Sequence, residues 1–299
     1  MDLELTPRIT PAVKKKDFKP LPVDSLIAEL RHLPAAFEIV PKLLLLLDDP
    51  DADCDGMAEI IRIDPGLTAN VFRIANSARW GASGKAASLS EAILRLGMRE
   101  VYRLVIEIVT APALKTPDGF EFGRVDLWRH SLATAVAAQA LARHGTDESP
   151  DFVFTAALLH DIGKTLLSRV AGEEYTELLR TCAETNASVH AAEREAFQTD
   201  HTEVAGRLLR AWKIPERMVS AVVGHHWPAK VREENRALAA SIYAGDVMAY
   251  RISQGNGFPA YAALPDKTAL ALIRIEMADL AGFEEEIVEM LNREQERLG

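Results

Sequence analysis

Apolar residues recur at three- and four-residue spacing along almost the whole chain, with polar residues between them, which is the pattern of helices that bury one face. No stretch shows the alternation of a half-buried strand, and no fixed-period repeat stands out, so an all-α fold is predicted. Residues 1–20, with Pro7, Pro11 and Pro20, lack periodicity and read as a flexible tail. From about residue 24 to 110 short amphipathic helices follow one another, punctuated at Pro34 and Pro41. Leu43 to Leu47 is apolar all round, which predicts a helix buried in the middle of its bundle. Asp55-Gly56 precedes an apolar run through Met57, Ile60, Ile61 and Ile63. Asp64-Pro65 reads as an N-cap followed by proline at the first helical position, and the helix it opens carries Leu67, Val71, Ile74 and Ala75 on one face. Ser88 or Ser90 is placed to cap Ala92–Leu96, Gly97 stops that helix, and Val101, Leu104, Val105 and Ile108 continue at helical spacing.

Two prolines and two glycines break the periodicity between residues 112 and 124. This predicts an N-terminal helical subdomain over 21–112, a connector over 113–124, and a second helical domain over 125–299. In the second part helices are expected from Asp126 to Arg143, Phe152 to Leu159, Glu173 to Glu184, Val189 to Phe197, His201 to Trp212 and Pro215 to His225. A Gly/Pro loop at 253–265 and two closing helices, about 266–281 and 283–297, complete the chain. Ile287, Val288, Met290 and Leu291 give the last of them an apolar face for docking or for dimer contact, docking being the expectation.

Composition narrows the function. Of the 299 residues 48% are hydrophobic, ample for a core, yet no apolar run approaches the ~20 residues that span a bilayer. No signal-peptide layout opens the chain, and Cys54 and Cys182 have no CxxC companions, so a cytoplasmic protein without membrane or disulfide framework is expected. The net charge of −10 disfavours nucleic acid, and Lys14-Lys15-Lys16 reads as a solvated part of the tail. A loose helix-turn-helix likeness over 90–108 does not outweigh that charge.

The chemistry concentrates in His160-Asp161-Ile162-Gly163-Lys164 and in a set of distant partners: Asp126, His130, His201, the pair His225-His226, and Asp246. Five of the eight histidines belong to this set. Imidazole and carboxylate without thiolate suit a divalent ion, Fe, Mn, Mg, Zn or Ni. Asp126 and His130 stand four apart on one helix face. Neighbours such as His160-Asp161 and His225-His226 project about 100° apart on a helix, so both can face one ion only if the backbone bends. Otherwise they serve two ions, or one of each pair supports the other. Gly163 permits a bend or a close backbone approach. Asp246 lies in an apolar helix, where a carboxylate is costly unless paired or on a metal. Asp161 placed between two ions would suit activation of water against a phosphate ester, and Lys164 could reach a phosphate oxygen or simply start a helix in solvent. His201 could instead open a helix capped by Thr199 or Asp200.

With these residues in view, the sequence resembles the HD superfamily of metal-dependent phosphohydrolases, and within it the HDOD branch. The resemblance rests on Ile63-Asp64-Pro65-Gly66-Leu67-Thr68, Ile74-Ala75-Asn76-Ser77-Ala78, Ser88-Leu89-Ser90-Glu91-Ala92-Ile93 with Leu96-Gly97, and Trp128-Arg129-His130-Ser131. It continues in Ala157-Leu158-Leu159-His160-Asp161-Ile162-Gly163-Lys164, Trp212-Lys213-Ile214-Pro215 and His225-His226-Trp227-Pro228, covering about residues 30–230 in the family's order. It implies an all-α fold in which an N-terminal helical subdomain packs on an HD-like bundle. It matches His130, His160, Asp161 and Asp246 to the HD quartet. Asp126, His201, His225 and His226 match positions that related HD-GYP phosphodiesterases use to reach two or three metals. Trp227-Pro228-Ala229-Lys230 stands where the glycine-tyrosine-proline signature of those enzymes would follow, a departure from the cyclic di-GMP phosphodiesterase pattern. The resemblance implies a stand-alone bacterial signalling protein with one to three divalent ions, Fe or Mn favoured, acting through a regulatory protein partner. The alternative is a metal-dependent phosphohydrolase for a nucleotide or other phosphate ester, with Asp161 and Lys164 as its catalytic residues.

Overall fold

The computed structural model describes residue 21 and residues 38–77, 80, 85–114, 127–185, 187–252 and 266–298, with side chains to 294. Among the described residues every regular element is a helix. Helices α1 (Ile39–Leu47), α2 (Cys54–Ile61), α3 (Pro65–Ala75), α4 (Leu89–Leu96) and α5 (Met98–Ala113) pack largely on one another. Helices α6 (Leu127–Gly145), α7 (Pro150–Leu158), α8 (Ile162–Thr185), α9 (Val189–Phe197), α10 (His201–Ala211), α11 (Glu216–Val223), α12 (Arg236–Ile252), α13 (Lys267–Leu272) and α14 (Leu280–Leu298) form the larger bundle.

Helix starts follow local chemistry. The Asp64 carboxylate accepts from the Gly66 and Leu67 amides at 2.8 and 3.0 Å, with Pro65 behind it. Ser88, rather than Ser90, caps α4, accepting from Glu91 N at 3.1 Å. Gly97 then turns the chain into α5 at φ 87°, a left-handed value that glycine adopts without strain. Asp200, rather than Thr199, caps α10 through the Thr202 and Glu203 amides at 2.9 and 3.0 Å.

Three expectations need correction. The leucine run 43–47 is not buried all round: Leu43 and Leu44 are in the core, but Leu45 is 68% exposed. A nine-residue helix at the bundle's edge has partners for the stripe Ile39, Val40, Leu43 and Leu44 only, because its neighbours α2 and α5 lie on one side. The helix expected from Glu173 begins eleven residues earlier, at Ile162; Gly172 at φ 48°, ψ −121° kinks it into two segments, and this break hid its first half from a periodicity reading. The helix expected over 266–281 stops at Leu272, where Ile273 and a left-handed Arg274 end it ahead of α14.

The centre of the larger bundle is α6, an alanine-rich helix buried along most of its length and packed against α7, α12 and α14. Small residues let its backbone and that of α12 approach closely. A Cβ on Gly245 would stand 2.7 Å from Thr134 O and from both Ala138 N and Cβ. The two bundles meet at α5 and α7, where the buried Tyr102 and Thr155 hydroxyls hydrogen-bond at 2.6 Å. Beside that bond Arg103 pairs with Glu294 at 2.9 Å and lies 4.5 Å over the Phe154 ring. Of the face expected on α14, Ile287 is fully buried and Met290 and Leu291 are partly buried where the helix packs on α6, but Val288 is 40% exposed and does not dock. No helix among the described residues is long and apolar enough to cross a membrane.

Candidate metal centre

Five chain segments converge inside the larger bundle: α6 with His130, the turn between α7 and α8 with His160 and Asp161, the start of α10 with His201, the turn after α11 with His225 and His226, and α12 with Asp246. Asp126 lies outside the described residues.

Neither adjacent pair sits within a helix. Helix α7 ends at Leu158 and α8 starts at Ile162, so His160 and Asp161 occupy the turn between them; α11 ends at Val223, so His225 and His226 follow in a turn as well. The 100° constraint therefore does not apply, and both members of each pair face inward. The two turns use one device. His160 Nδ1 lies 2.7 Å from Ala157 O, and His225 Nδ1 lies 2.7 Å from Val222 O, three residues back in each case. Each Nδ1–H donates to that carbonyl, which leaves an Nε2 lone pair directed into the centre.

The ligand-type atoms form two clusters bridged by a third group, in which His160, Asp161 and His225 also present their atoms within 4.8 Å of one another. In the first, His130, His160 and Asp246 present their atoms within 4.8 Å of one another; in the second, His201, His225 and His226 do so. Asp161 lies between. Its Oδ2 is 3.3 Å from His160 Nε2 and 3.8 Å from His130 Nε2, while its Oδ1 is 3.5 Å from His201 Nε2. His130 Nε2 and Asp246 Oδ1 approach to 3.0 Å but without hydrogen-bond geometry. His130 Nε2, His160 Nε2, Asp161 Oδ1, His225 Nε2 and Asp246 Oδ1 are all buried without a hydrogen-bond partner among the described residues. Stranding one buried polar atom costs about 1–3 kcal/mol, so five aimed at one small volume call for a common partner. Nitrogen and carboxylate oxygen in this arrangement fit divalent cations.

Electrostatics prepares the donors. Burial, reinforced by His160 and His201, pushes the His225 imidazole down to about 3. Burial, with His225 and His201, also holds His226 well below its usual value. Both are neutral, ligand-competent rings at neutral pH. Against the opposing effect of burial, His160 and Lys164 keep the Asp161 carboxyl well below the ordinary carboxylate range, and His130 lowers Asp246. Burial works against charge on His160, but the Asp161 carboxylate prevails and raises its pKa. Lys164 is not an exposed helix-start lysine: its side chain is 11% exposed, and Nζ donates to Asp161 Oδ2 at 2.6 Å.

One supporting residue escaped sequence reasoning. The fully buried Glu193 of α9 accepts from His201 Nδ1 at 2.6 Å, from the His201 amide at 2.9 Å and from the Tyr175 hydroxyl at 2.6 Å. It fixes His201 with Nδ1 protonated and Nε2 facing Asp161 and His226, the latter at 2.9 Å. The signal was present: His190, Glu193 and Phe197 share a face of α9 at i, i+3 and i+7, so a carboxylate stands on an apolar stripe. Glu193→Gln keeps the shape, but its amide cannot accept all three donors. Metal affinity at the second cluster is expected to fall about 10–100-fold, read by competition with a chelating dye, while the first cluster keeps its affinity.

A family model described as "HDOD domain" matches residues 33–228. An uncharacterized protein of Treponema pallidum (strain Nichols) is 25% identical over 232 residues, which make up 77% of this chain and 44% of that protein. The chain thus spans less than half the length of that curated relative. Three crystal structures share the fold. A candidate phosphohydrolase from Shewanella amazonensis SB2B is 26% identical with a TM-score of 0.64, 90% of this chain covering 93% of that one. An HDOD domain protein of unknown function from Geobacter sulfurreducens gives 24% and 0.67, with 91% and 92% covered. A candidate signal transduction protein from Marinobacter aquaeolei VT8 gives 21% and 0.73, with 95% and 62% covered. The last two, at these identities, speak to the fold alone.

Proposed function

Because the chain belongs to the HDOD domain family, we propose that it is a signal-transduction protein organised around a centre for two divalent cations. The observation that carries this reading is the convergence of five buried ligand atoms, without hydrogen-bond partners among the described residues, on two clusters bridged by Asp161. His130, His160, Asp161 and Asp246 would hold one ion, and Asp161, His201, His225 and His226 the other. Fe or Mn is the proposed occupant, with Mg, Zn or Ni as alternatives that the same mixture of imidazole and carboxylate accommodates. The output would pass to a regulatory protein partner in the cytoplasm.

A second reading, a metal-dependent phosphohydrolase for a nucleotide or other phosphate ester, is favoured by Lys164. Its ammonium lies 2.6 Å from the carboxylate shared by both clusters, a position from which it could neutralise a phosphate oxygen. Bound ions of this kind supply hydroxide near neutral pH and clamp phosphate oxygens. In this reading Asp161 orients the reacting groups beside Lys164. The likeness to the Shewanella candidate phosphohydrolase over nearly both full lengths supports it.

Elemental analysis of protein purified without chelator, then reconstituted with Fe(II) or Mn(II), tests both. About two ions per chain are expected, with a melting temperature that drops on chelation. A screen of phosphate monoesters and diesters then separates the readings. Turnover abolished by His160→Ala and Asp161→Ala establishes the hydrolase, and metal without turnover supports signalling. Protein that takes up no metal under either condition overturns the centre itself.

A further inference from the structure

Beside the histidine-rich cluster lies a cavity of about 440 Å³ that none of the proposed metal ligands lines. It falls within the ~300–1,000 Å³ range of small-molecule sites and is walled by α9, α10, α11 and the turn that follows α11. Its chemistry is unusual for a chain of net charge −10, because Arg194, Arg207 and Arg210 all open into it. Each guanidinium has a carboxylate neighbour. Arg194 pairs with the buried Asp200, Arg207 with Glu203 at 2.9 Å, and Arg210 with Glu216 at 2.7 and 3.0 Å. Asp200 is fully buried, so that pair is held, whereas Arg207 and Arg210 are 41% and 50% exposed and their pairs, with Glu203 itself on the cavity wall, are solvent-screened. A guanidinium offers five donors, of which such a pair occupies one or two. Arg207 and Arg210 stand three apart on α10, so the two side chains rise from neighbouring positions on one face of the helix beside the cavity.

The same cavity carries a stacking surface. Trp227 is 43% exposed, one of the few large apolar side chains in the structure open to solvent. The His190 ring meets its indole edge-on, with centroids 4.5 Å apart and planes at 77°, and the Lys230 ammonium lies 5.6 Å from the ring centroid over one face. Anion donors and an aromatic platform in one cavity match a ligand that is at once phosphorylated and planar. We propose that this cavity binds a nucleotide, its base on Trp227 and its phosphate on Arg207 and Arg210. Trp227 follows His226 directly, and their rings lie 5.7 Å apart, so an occupied cavity abuts the second metal cluster. The proposal names a signal class for the regulatory reading, but binding itself does not depend on metal.

The test is a titration of the full chain, stripped of metal by chelation, with AMP, GMP and UMP, followed by calorimetry and tryptophan fluorescence. Ribose 5-phosphate and adenosine serve as half-ligands. At least one nucleotide should saturate and bind more tightly than either half. The Arg207→Ala/Arg210→Ala double variant should weaken it about tenfold or more, as expected for losing charge-assisted hydrogen bonds. Trp227→Leu should weaken binding and remove the fluorescence change, while Trp227→Phe restores binding. All these side chains are substantially exposed, and circular dichroism verifies the fold. Absence of saturation by all three nucleotides at millimolar concentration overturns the proposal. So does binding that both variants leave unchanged, or that arises only when metal is added, since the ligand would then sit on the metal centre. Because the titration excludes metal, its failure leaves the metal reading untouched, and a failure to take up metal leaves the cavity's ligand standing.

Discussion

Gly163→Ala is expected to destabilise the protein by about 3 kcal/mol or more and to weaken metal uptake with it. The physical reason is a backbone crossing. A Cβ built on Gly163 would lie 1.9 Å from His201 O, 2.8 Å from His201 C and 2.9 Å from Ala205 N. All three are backbone atoms of α10 or its first residue, so no side-chain rotation relieves the clash, and α8 and α10 must part. Those two helices anchor Asp161 and His201, whose facing atoms are now 3.5 Å apart. Any separation therefore enlarges the gap that an ion would close. Gly282→Ala is the matched control: it lies within α14 with nothing inside 4 Å of its added methyl, and it should be neutral or slightly stabilising. Urea denaturation midpoints of the two variants decide the matter. If Gly163→Ala melts like wild type and retains its metal, the close crossing does not hold the centre together.

Asp161→Ala is the second large effect, and it acts twice. It faces both clusters, so its loss should empty both, whereas His226→Ala should empty only the second. The second consequence needs no metal. Lys164 is nearly buried and donates to Asp161 at 2.6 Å, an interaction that keeps the ammonium charged against the cost of burial. Removing the carboxylate strands that charge. Breaking a buried ion pair at one end costs about 3–5 kcal/mol, while replacing both ends with apolar groups can be nearly neutral. Metal-free Asp161→Ala should therefore be much less stable than wild type, and Asp161→Ala/Lys164→Met should recover most of the loss without recovering metal. Equal stabilities for the single and double variants would show that Lys164 finds another partner or solvent.

The glycine and the aspartate illustrate how much of the molecule can be read from its sequence. Helical class, the caps at Asp64 and Ser88 and most of the α6 to α11 boundaries follow from local rules, because spacing, a capping oxygen and a proline act within one turn. Burial of Leu43–Leu47 did not follow, because what covers a helix depends on which neighbours reach it. Gly172 likewise gave no local warning that it joins two helical segments rather than ending one.

At the centre the division has the same cause. The sequence by itself determined the chemical inventory: imidazoles, carboxylates and one lysine in an order that marks the HDOD family, with His160 and Asp161 at their head. Only the tertiary structure decided that the adjacent pairs lie in turns, so that both members face inward. It also showed that Asp161 divides its oxygens between two clusters, that Lys164 is held under cover, and that Glu193 and Tyr175 orient His201 from behind. Ligand type is a property of single residues and survives in the linear code. Convergence is a property of backbones that approach within van der Waals contact at Gly163 and Gly245, and it exists only once those helices have packed.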